Sequence, residues 1–489
     1  MTYRLHPSIL REYDIRGICG ETLWPADAFV LGWAFARVVA EAGGRRVAVG
    51  RDGRLSSPVL EAALAAGLRA GGAAVLPVGQ GPTPLLYFAE RSTEQVEGGI
   101  QVTGSHNPPD HNGFKIVLQG APFFGADLLR LGQIAEGFDP AVLPEGFGAV
   151  WHGLAGGAGV DPILGDADGA GEGGEIFRRY IDALTAALEE APAGPLAALR
   201  VGWDAGNGAA GPAIEALCAR LPGEHHLLYT RVDGHFPHHH PDPTVEENLA
   251  DLRSLVLSER LDFGVAFDGD GDRLGVIDGH GRVVWGDQLL LLFAADLLES
   301  HPGARILADV KTSQGVFDGI AALGGQPLMC ETGHSWVKSR MKQAGALLAG
   351  EMTGHLFFAD RYFGFDDALY AAVRLMAAVA RQERSVADML EAMPVWVNTP
   401  ELRFAVPAAR KAAVVAEVAA RLRAEGADVV TIDGLRVRRA DGWWLLRASN
   451  TQEMLVARAE SADAAGLARL LAELDGQLAA SGVARAGGH

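Results

Sequence analysis

The segment FDGDGDR places three carboxylates at alternate positions, and it is the clearest chemical signal in the chain. Asp268, Asp270 and Asp272 project to one side of an extended loop, in which Gly269 and Gly271 allow tight turns. Three hard oxygen donors are typical of a Mg²⁺ site that is completed by water or phosphate oxygens. A solvated acidic turn is the simplest alternative. Because crowded carboxylates repel one another and a cation relieves the repulsion, the sequence favours the metal site.

An EF-hand begins with the same alternation of aspartates and has to be considered. Its loop requires glycine at the sixth position and glutamate at the twelfth. Counted from Asp268, those positions hold Arg273 and Gly279. The EF-hand is therefore excluded.

A second signal lies in QVTGSHNPPDHNGFK, where Ser105 follows an apolar run that predicts a strand. The G-x-S-x-G elbow of serine hydrolases is missing, and His106, as the adjacent residue, is poorly placed to act as a base for Ser105. A polar turn without a catalytic role is the common alternative. The stiff loop and the nearby Lys115 favour a serine that carries a phosphoryl group, whose charge the metal and the lysine would offset.

Two further segments could bind a phosphorylated sugar. In RASNTQEMLVAR, Arg447 can grip a phosphate with two parallel hydrogen bonds, and Ser449, Asn450 and Thr451 add short donors. GEMTGH, at Gly350 to His355, offers a carboxylate, a hydroxyl and an imidazole to sugar hydroxyls. Each segment is a weak signal alone, because such polar loops are common.

Other motifs are interpreted as structural or are missing. The tract from His235 to Pro243, HFPHHHPDP, resembles a metal-binding run, but its prolines disturb regular ligand geometry, so a loop with exposed histidines is predicted. No glycine fingerprint for a nucleotide occurs between a strand and a helix, which argues against ATP or NAD as a cofactor.

The elements that must position these residues alternate between short apolar strands and longer Ala/Leu-rich helices, which is typical of α/β units with buried strands. Strands near 47, 201 and 264 each end in Asp and Gly, and this indicates a weak internal repeat over three related domains. The last portion differs. A long helix, a strand meander with an Asp433-Gly434 turn and a helix from Ser461 predict a small α+β domain.

Domain boundaries are predicted near 155, where the glycine-rich segment 152–174 is typical of a connection, and near 257 and 370. The four predicted domains are 1–155 with the serine loop, 156–257, 258–370 with the metal and sugar loops, and 371–489 with the phosphate loop.

Composition limits the partners. The 489 residues contain 42 basic and 61 acidic side chains, and the net charge of −19 argues against nucleic acid or an anionic membrane as the main partner. The three cysteines are widely spaced, which predicts reduced thiols without a disulfide framework. No apolar stretch is long enough to span a bilayer and no signal peptide is recognised, so a cytoplasmic location is expected.

Four motifs, TGSHNPP, FDGDGDR, GEMTGH and RASNT, resemble in this order the α-D-phosphohexomutases, most closely the bifunctional phosphomannomutase/phosphoglucomutase branch. The shorter stretches REYDIRG, GRDGRLSS, DAGNGAAG, ADVKTS and ETGHSWVK extend the resemblance over nearly the whole chain. It implies three related α/β domains with mixed sheets and a smaller α+β C-terminal domain, with the active site in a central cleft.

The resemblance also implies roles. Ser105 would be phosphorylated and would bind Mg²⁺ together with Asp268, Asp270 and Asp272. Glu351 and Thr353, which stands where Ser is usual, would bind hexose hydroxyls. The residues Arg447, Ser449, Asn450 and Thr451 would hold the phosphate that is not transferred. The other residues that match the cleft of the family are Tyr13, Arg16, Lys115, Arg273, Lys311, His334, His355 and Arg458. Catalytic roles are predicted for Arg16, Lys115, Arg273 and His355, with His106 beside the serine.

The implied activity is the reversible conversion of mannose and glucose 1-phosphates into 6-phosphates, through a hexose 1,6-bisphosphate that also activates the enzyme. Met352 stands where glucosamine-specific members usually carry Gln. The alternatives are a phosphoglucosamine mutase, a catalytically silent phosphosugar-binding protein on this fold and a metal-dependent phosphatase. A monomer is expected.

Overall fold

The computed structural model describes residues 3–144, 171–449 and 453–484. The chain forms two compact units. The first contains Met1–Gly286 and Thr353–Leu390, and the second contains Asp287–Met352 and Glu391–His489. The boundary predicted near 155 lies outside the described residues.

The first sheet carries the serine loop. Its strands stand in the order β1-β5-β4-β2-β3, with β6 beside β5. The β3/β2 and β2/β4 pairs are parallel, and the β4/β5 and β5/β1 pairs are antiparallel. The elements are β1 (Ile15–Ile18), α1 (Pro25–Glu41), β2 (Arg46–Arg51), α2 (Ser57–Ala70), β3 (Ala74–Gln80), α3 (Thr83–Ser92), β4 (Gly98–Val102), β5 (His111–Leu118), β6 (Ala121–Pro122) and α4 (Ala126–Glu136).

The second sheet, in the order β11-β10-β9-β7-β8, carries the metal loop between β9 and β10. Its β8/β7 and β7/β9 pairs are parallel, and its β9/β10 and β10/β11 pairs are antiparallel. The elements are α5 (Glu172–Thr185), α6 (Ala193–Ala198), β7 (Arg200–Asp204), α7 (Gly211–Cys218), β8 (Glu224–Leu228), α8 (Ala250–Glu259), β9 (Phe263–Phe267), β10 (Leu274–Asp278) and β11 (Val283–Val284).

The strands that begin near 201 and 264 are β7 and β9, which are parallel neighbours in this one sheet. Their Asp-Gly ends therefore do not mark two separate domains, and the repeat has a different phase from the predicted one. The boundary predicted near 257 falls inside α8, and strands from both sides of it pair. The metal loop accordingly shares its sheet with β7.

The α/β part of the second unit has parallel strands in the order β13-β12-β14. Its elements, and those of the segment that follows, are α9 (Gly286–Ser300), β12 (Arg305–Asp309), α10 (Gln314–Ala322), β13 (Gln326–Cys330), α11 (His334–Ala344), β14 (Leu348–Gly350), β15 (Leu356–Phe358), α12 (Ala368–Gln382) and α13 (Val386–Glu391). The first unit takes up β15 and α12, and the boundary predicted near 370 lies inside α12.

The C-terminal part has the predicted α+β form. Its antiparallel sheet has the order β16-β21-β20-β19-β18, with β17 beside β21. Apolar faces of α14 and α15 pack on it around Trp444, Leu446 and Leu455. The elements are β16 (Val397–Asn398), β17 (Leu402–Ala405), α14 (Ala408–Ala424), β18 (Asp428–Val430), β19 (Leu435–Arg439), β20 (Gly442–Ala448), β21 (Met454–Ser461) and α15 (Ala464–Ala479). Strand β21 extends to Ser461, so the last helix begins three residues later than predicted.

Within the described ranges, no helix is both long enough and apolar enough to cross a membrane.

Candidate active site

Ser105 lies in the loop that joins β4 to β5, and its backbone is left-handed, with φ of +52°. Such a conformation is uncommon for a residue with a side chain. The Ser105 amide donates to Thr103 Oγ1 at 2.8 Å, and the preceding Gly104 amide donates to Asp52 Oδ2 at 3.0 Å. The hydroxyl of Ser105 donates to Asp268 Oδ2 at 2.9 Å. The loop thus directs the serine at the metal loop.

Arg54 anchors the serine loop through its backbone carbonyl groups. Its guanidinium donates to the carbonyl oxygens of Ser105 at 2.7 Å, Asn107 at 2.5 Å, Pro108 at 2.5 Å and His111 at 3.0 Å. The side chain is 1% exposed and pairs with Asp52 at 3.3 Å. Arg54 was not predicted as a site residue, because the groups that it binds are backbone carbonyls, which have no sequence signature. Its only signal was the stretch GRDGRLSS.

The metal loop approaches the serine loop as closely as packing allows. A Cβ at Gly269 would lie 2.4 Å from the carbonyl oxygen of Ser105, so no larger residue fits there without movement. Asp268 accepts from the amides of Asp272 and Arg273, both at 3.1 Å. Thr83 donates to Asp270 Oδ2 at 2.6 Å. These contacts hold the three carboxylates together in the buried interior of the first unit.

Lys115, on β5, is the cation that faces this cluster. Its ammonium donates to Asp270 Oδ2 at 2.7 Å and also to Asp272 Oδ2. Burial alone would lower the pKa of Lys115, but the two carboxylates raise it above its ordinary value. Conversely, burial alone would raise the pKa of Asp270, but the Lys115 ammonium lowers it. Burial and the neighbouring carboxylates raise the pKa of Asp268 well above its usual range.

The cluster fits a hard divalent cation. One oxygen from each aspartate lies within 4.8 Å of the others. In the described part of the chain, Oδ1 of Asp270 and Oδ1 of Asp272 are buried and have no hydrogen-bond partner. A buried oxygen without a donor is costly, and a cation removes that cost. The donors are all oxygen atoms, which is the chemistry that Mg²⁺ prefers.

Two other predicted residues flank the serine. Arg16, on β1, is buried. Its guanidinium donates to Asp14 Oδ2 at 2.8 Å and to the carbonyl of Thr103. His106 Nδ1 lies 3.3 Å from Ser105 Oγ. Burial, followed by the charges of Arg273, Arg16 and Lys115, lowers the pKa of His106 well below its ordinary value.

Arg273 and His355 meet in the first unit. The Nε–H of Arg273 donates to His355 Nε2 at 3.0 Å, and His355 Nδ1 lies 3.0 Å from Asp366 Oδ2 and 3.6 Å from Asp272 Oδ1. Because Nε2 accepts from Arg273, this ring nitrogen is unprotonated and is engaged in this arrangement. Asp366, which was not predicted as a site residue, lies on the other side of the His355 ring from Arg273, so the three side chains form a chain of contacts.

The sugar and phosphate candidates of the second unit form contacts with each other. Glu351 accepts from the amide of Gly333 at 2.7 Å, next to His334 at the start of α11. Arg458 donates to the carbonyl of Lys311 at 2.8 Å, and its guanidinium also contacts Met352 Sδ. The C-terminal sheet therefore contacts the loops of the preceding α/β part within this unit.

Arg447 pairs with Asp433 at 3.0 Å, and Asp433 also accepts from the amide of Thr332 at 3.2 Å. The backbone carbonyl of Ser449 accepts from Lys411 at 2.7 Å. Asn450 and Thr451 lie outside the described residues. Asp433, which was predicted only as part of a turn, is thus the ion-pair partner of Arg447, the predicted phosphate-binding arginine.

The structure brings Ser105, the three aspartates, Lys115, Arg16, His106, Arg273 and His355 together in the first unit, where Tyr13 and Thr353 are partly exposed. The other described candidates, Lys311, His334, Glu351, Arg447, Ser449 and Arg458, belong to the second unit. None of the histidines between 235 and 240 is part of a metal-ligand group among the described residues.

Four family models match the chain in sequence order. They are described as the alpha/beta/alpha domains I, II and III and the C-terminal domain of phosphoglucomutase/phosphomannomutase, and they match residues 7–136, 178–281, 285–395 and 401–477.

Individual proteins match over almost their full lengths. The chain is 41% identical to a phosphomannomutase/phosphoglucomutase of Pseudomonas aeruginosa over 481 residues, which are 97% of this chain and 96% of the relative. It is 41% identical to a phosphoglucomutase of Neisseria gonorrhoeae over 465 residues, 94% and 95% of the two chains. A crystal structure of a phosphoglucomutase/phosphomannomutase family protein from Burkholderia thailandensis superimposes with a TM-score of 0.84 at 40% identity, covering 97% of this chain and 98% of that one.

Proposed function

Because the chain belongs to the phosphoglucomutase/phosphomannomutase family, we propose that it interconverts hexose 1-phosphates and hexose 6-phosphates of mannose and glucose. The reaction is an intramolecular phosphoryl transfer by a phosphoserine enzyme. The single observation that carries the proposal is the placement of Ser105, whose hydroxyl donates at 2.9 Å to Asp268, one of a buried cluster of three aspartates.

The first transfer begins with the phosphoryl group on Ser105. The 6-hydroxyl of a bound hexose 1-phosphate attacks phosphorus, the bond between phosphorus and Ser105 Oγ breaks, and the 6-hydroxyl proton passes to a base. The product is a hexose 1,6-bisphosphate, which turns over in the site. The hydroxyl of Ser105 then loses its proton and attacks the 1-phosphoryl group, the bond between phosphorus and O1 of the sugar breaks, and O1 takes up a proton. Hexose 6-phosphate is then released. A small amount of bisphosphate also activates the enzyme by phosphorylating free Ser105.

The residues that would hold Mg²⁺ are Asp268, Asp270 and Asp272 together with an oxygen of phospho-Ser105. A bound Mg²⁺ supplies positive charge that stabilises phosphate oxygens in a loose phosphoryl-transfer transition state. Around it, Lys115 and Arg273 offer fixed positive charge, which needs no reorganisation during transfer. Arg54 keeps the serine backbone in place through its four carbonyl contacts.

Proton transfer requires a group that gives and takes a proton at the sugar oxygen. Lys115 is charged in this arrangement, because the aspartates raise its pKa, and so it is suited to donate a proton or a hydrogen bond. His355 Nε2 is engaged by Arg273, and Arg273 must release it before it can act as a base. We assign to Lys115 the role of general acid. His355 remains the second candidate for proton transfer.

Substrate binding is assigned to two sets of residues. Glu351 and Thr353 would bind ring hydroxyls of the sugar. Arg447, Ser449, Asn450 and Thr451 would hold the distal phosphate, and the remaining contacts are assigned to Tyr13, Lys311, His334 and Arg458. Because Arg447 pairs with Asp433, phosphate binding replaces one anionic partner with another. Met352 in the sugar loop favours mannose and glucose over glucosamine.

The test is ³¹P NMR of the protein with Mg²⁺ and a trace of glucose 1,6-bisphosphate. Mannose 1-phosphate, glucose 1-phosphate and glucosamine 1-phosphate are supplied in separate tubes. We expect 6-phosphate signals to grow for mannose and glucose far faster than for glucosamine. Preference for glucosamine would identify a phosphoglucosamine mutase, release of inorganic phosphate a phosphatase, and no reaction a binding protein.

A further inference from the structure

The histidine- and proline-rich tract that the sequence analysis set aside lies against the catalytic loops of the first unit. We call residues 234–243 the His-Pro segment. At its start, a Cβ at Gly234 would lie 2.8 Å from both the carbonyl of Gly53 and the amide of Leu55, so the segment packs directly on the loop that carries Arg54. Phe236 follows, and the Arg54 guanidinium lies over its ring at 5.4 Å.

The segment then contacts the serine loop through His240. Its Nε2 lies 2.5 Å from the carbonyl oxygen of His106, the residue after Ser105. A carbonyl oxygen only accepts, so Nε2 carries the proton and donates. The contact spans 134 positions of the sequence, and it holds the backbone on the C-terminal side of the serine.

One residue later, the segment contacts the metal loop. The carbonyl of Pro241 accepts from the amide of Gly269 at 3.2 Å, and a Cβ at Gly269 would lie 3.4 Å from Pro241 Cγ. His240 and Pro241 therefore hold, from adjacent positions, the two loops that carry Ser105 and Asp268.

The segment is itself anchored to the second sheet. His239 Nε2 lies 3.0 Å from Asp204 Oδ2 at the end of β7, and His238 Nδ1 lies 2.7 Å from Asn207 Oδ1. Asp204 is fully buried and its other oxygen accepts from the amide of Gly206. Contacts of His239 and His238 thus fix the segment to the end of β7 and to the turn that follows it, and the contact of His240 holds the serine loop.

From these contacts we propose that His240 is a positioning residue for phosphoryl transfer. It sets the place of Ser105 relative to Asp268, and hence of the phosphoserine relative to the carboxylates that would hold the metal. The inference rests on the proposed mutase function. A small displacement of the reacting groups is costly, since a shift of about 1 Å lowers a rate by roughly 100-fold.

The test compares His240→Ala, which removes the donor, with His240→Gln, whose amide can donate to the same carbonyl. His235→Ala is the matched control, because His235 is an exposed histidine of the same tract that contacts only its neighbour Asp233 in the described structure. For each variant, kcat, KM for glucose 1-phosphate, the Mg²⁺ concentration for half-maximal rate and the thermal unfolding midpoint are measured.

We expect His240→Ala to lower kcat by roughly 10- to 100-fold, to raise the Mg²⁺ concentration needed several-fold, and to leave KM within about twofold. His240→Gln should recover most of kcat, and His235→Ala should match the unmodified protein. A general loss of structure would instead lower the unfolding midpoint of His240→Ala and change KM and kcat together.

Two results would overturn the inference. One is a kcat of His240→Ala equal to that of the unmodified protein, and the other is a loss that His240→Gln does not reduce although it folds normally. Failure of the proposed function is separate from both, because the unmodified protein would then lack mutase activity and the variants could not be ranked by it.

Discussion

The conformation of Ser105 has an energetic cost that its neighbours offset. A left-handed backbone at a residue with a side chain costs about 1 to 3 kcal/mol. The Thr103 hydroxyl accepts the Ser105 amide, and Arg54 binds its carbonyl. In this conformation the Ser105 hydroxyl donates to Asp268, so the loop contacts hold the serine against the metal loop.

Ser105→Ala tests this residue most directly. The variant keeps the backbone contacts of the loop and loses only the oxygen that carries the phosphoryl group. We expect the mutase rate to fall by at least about 1,000-fold, as is usual when a covalent nucleophile is removed. The unfolding midpoint should change by less than about 2 °C. Ser258→Ala, at an exposed serine near the end of α8, is the control, and a substantial retained rate in Ser105→Ala would contradict the phosphoserine role.

Asp367 is a buried carboxyl at the start of α12 that should make stability depend on pH. Burial raises its pKa to about 7, although the hydroxyls of Tyr180 and Tyr362 and the amide of Tyr370 donate to it and act in the opposite direction. The pKa of Asp367 in the folded state lies above the ordinary value of 3.8, so the folded protein favours the protonated carboxyl. Its contribution to the free energy of unfolding is therefore fully present below pH ~4 and is lost as the pH rises through about 7.

The corresponding variant is Asp367→Asn, which cannot ionise but keeps an oxygen acceptor. We expect the unfolding temperature of the unmodified protein to fall by about 2 °C or more between pH 6 and pH 8, and the variant to show a smaller fall. Thermal scans at both pH values measure this. Asp428→Asn, at an exposed aspartate of the C-terminal sheet, should keep the full fall, and an equal fall in Asp367→Asn would rule out this carboxyl as the source.

Contiguous motifs made part of the site predictable at the residue level. The three aspartates lie within five positions, so their meeting follows from local geometry, and the serine lies directly after an apolar strand. Arg54, Asp366 and Asp433 could not be found in this way. Each acts through partners outside its own motif, and an arginine that binds backbone carbonyls has no sequence pattern that distinguishes it from other arginines.

At the level of elements, the first two sheets place their chemistry at the same point. The serine loop joins β4 to β5 and the metal loop joins β9 to β10, and both connect a central parallel strand to an antiparallel neighbour. In the second unit, β14 is likewise a parallel partner of β12, and its last residue, Gly350, begins the segment GEMTGH. The sequence indicated a repeat, but the Asp-Gly strand ends gave its phase incorrectly, because β7 and β9 lie in one sheet.

In the second unit, β21 supports the loop that carries Lys311. Glu460 accepts from Ser313 Oγ at 2.9 Å, from the amide of Gln314 at 3.0 Å and from Trp443 Nε1 at 2.8 Å. It thereby caps the start of α10 from a different part of the chain. Arg436 on β19 donates to the carbonyls at either side of Lys311, both at 2.8 Å.

Glu460→Ala should therefore affect both stability and substrate binding. Three donors lose their acceptor, the buried Trp443 Nε1 and the partly buried Ser313 Oγ and Gln314 amide, which costs about 2 to 3 kcal/mol. The loop around Lys311 should then become less ordered. We expect a lower unfolding midpoint and a KM for glucose 1-phosphate raised several-fold, with a smaller change in kcat. Glu473→Ala, which removes a more exposed partner of Arg439 in the same C-terminal part, is the control, and an unchanged KM in Glu460→Ala would separate this cap from substrate binding.

For the whole molecule, the net charge of −19 contrasts with the cations at the site. Arg16, Arg54 and Lys115 are buried beside the serine and metal loops. Each of these cations pairs with a carboxylate: Arg16 with Asp14, Arg54 with Asp52, and Lys115 with Asp270 and Asp272. Over the whole chain, acidic side chains exceed basic ones by 19. Sequence composition gives this excess of acidic side chains, but only the fold shows which basic side chains are buried.

This distribution predicts that the protein is not retained on heparin at low salt. Sequence-independent binding to a polyanion needs an accessible basic surface that releases counterions. A heparin column run at low ionic strength tests the expectation, with a basic protein as the positive control. Retention that is lost on adding salt would reveal a basic face that the total charge conceals.

The contacts of Lys115 with two aspartates also determine how the protein exchanges ions with its surroundings. Lys115 pairs with the Oδ2 atoms of Asp270 and Asp272, whose Oδ1 atoms have no hydrogen-bond partner in the described structure. A divalent ion bound through the Oδ1 atoms would therefore share two carboxylates with an ammonium group, and repulsion between the two cations would lower its affinity. Lys115→Met removes the internal competitor, and we expect tighter Mg²⁺ binding by calorimetry but slower turnover. Weaker binding in that variant would mean that the lysine helps to build the site. From this arrangement we expect the ion to remain exchangeable and the activity of the protein to follow the free magnesium concentration of its medium.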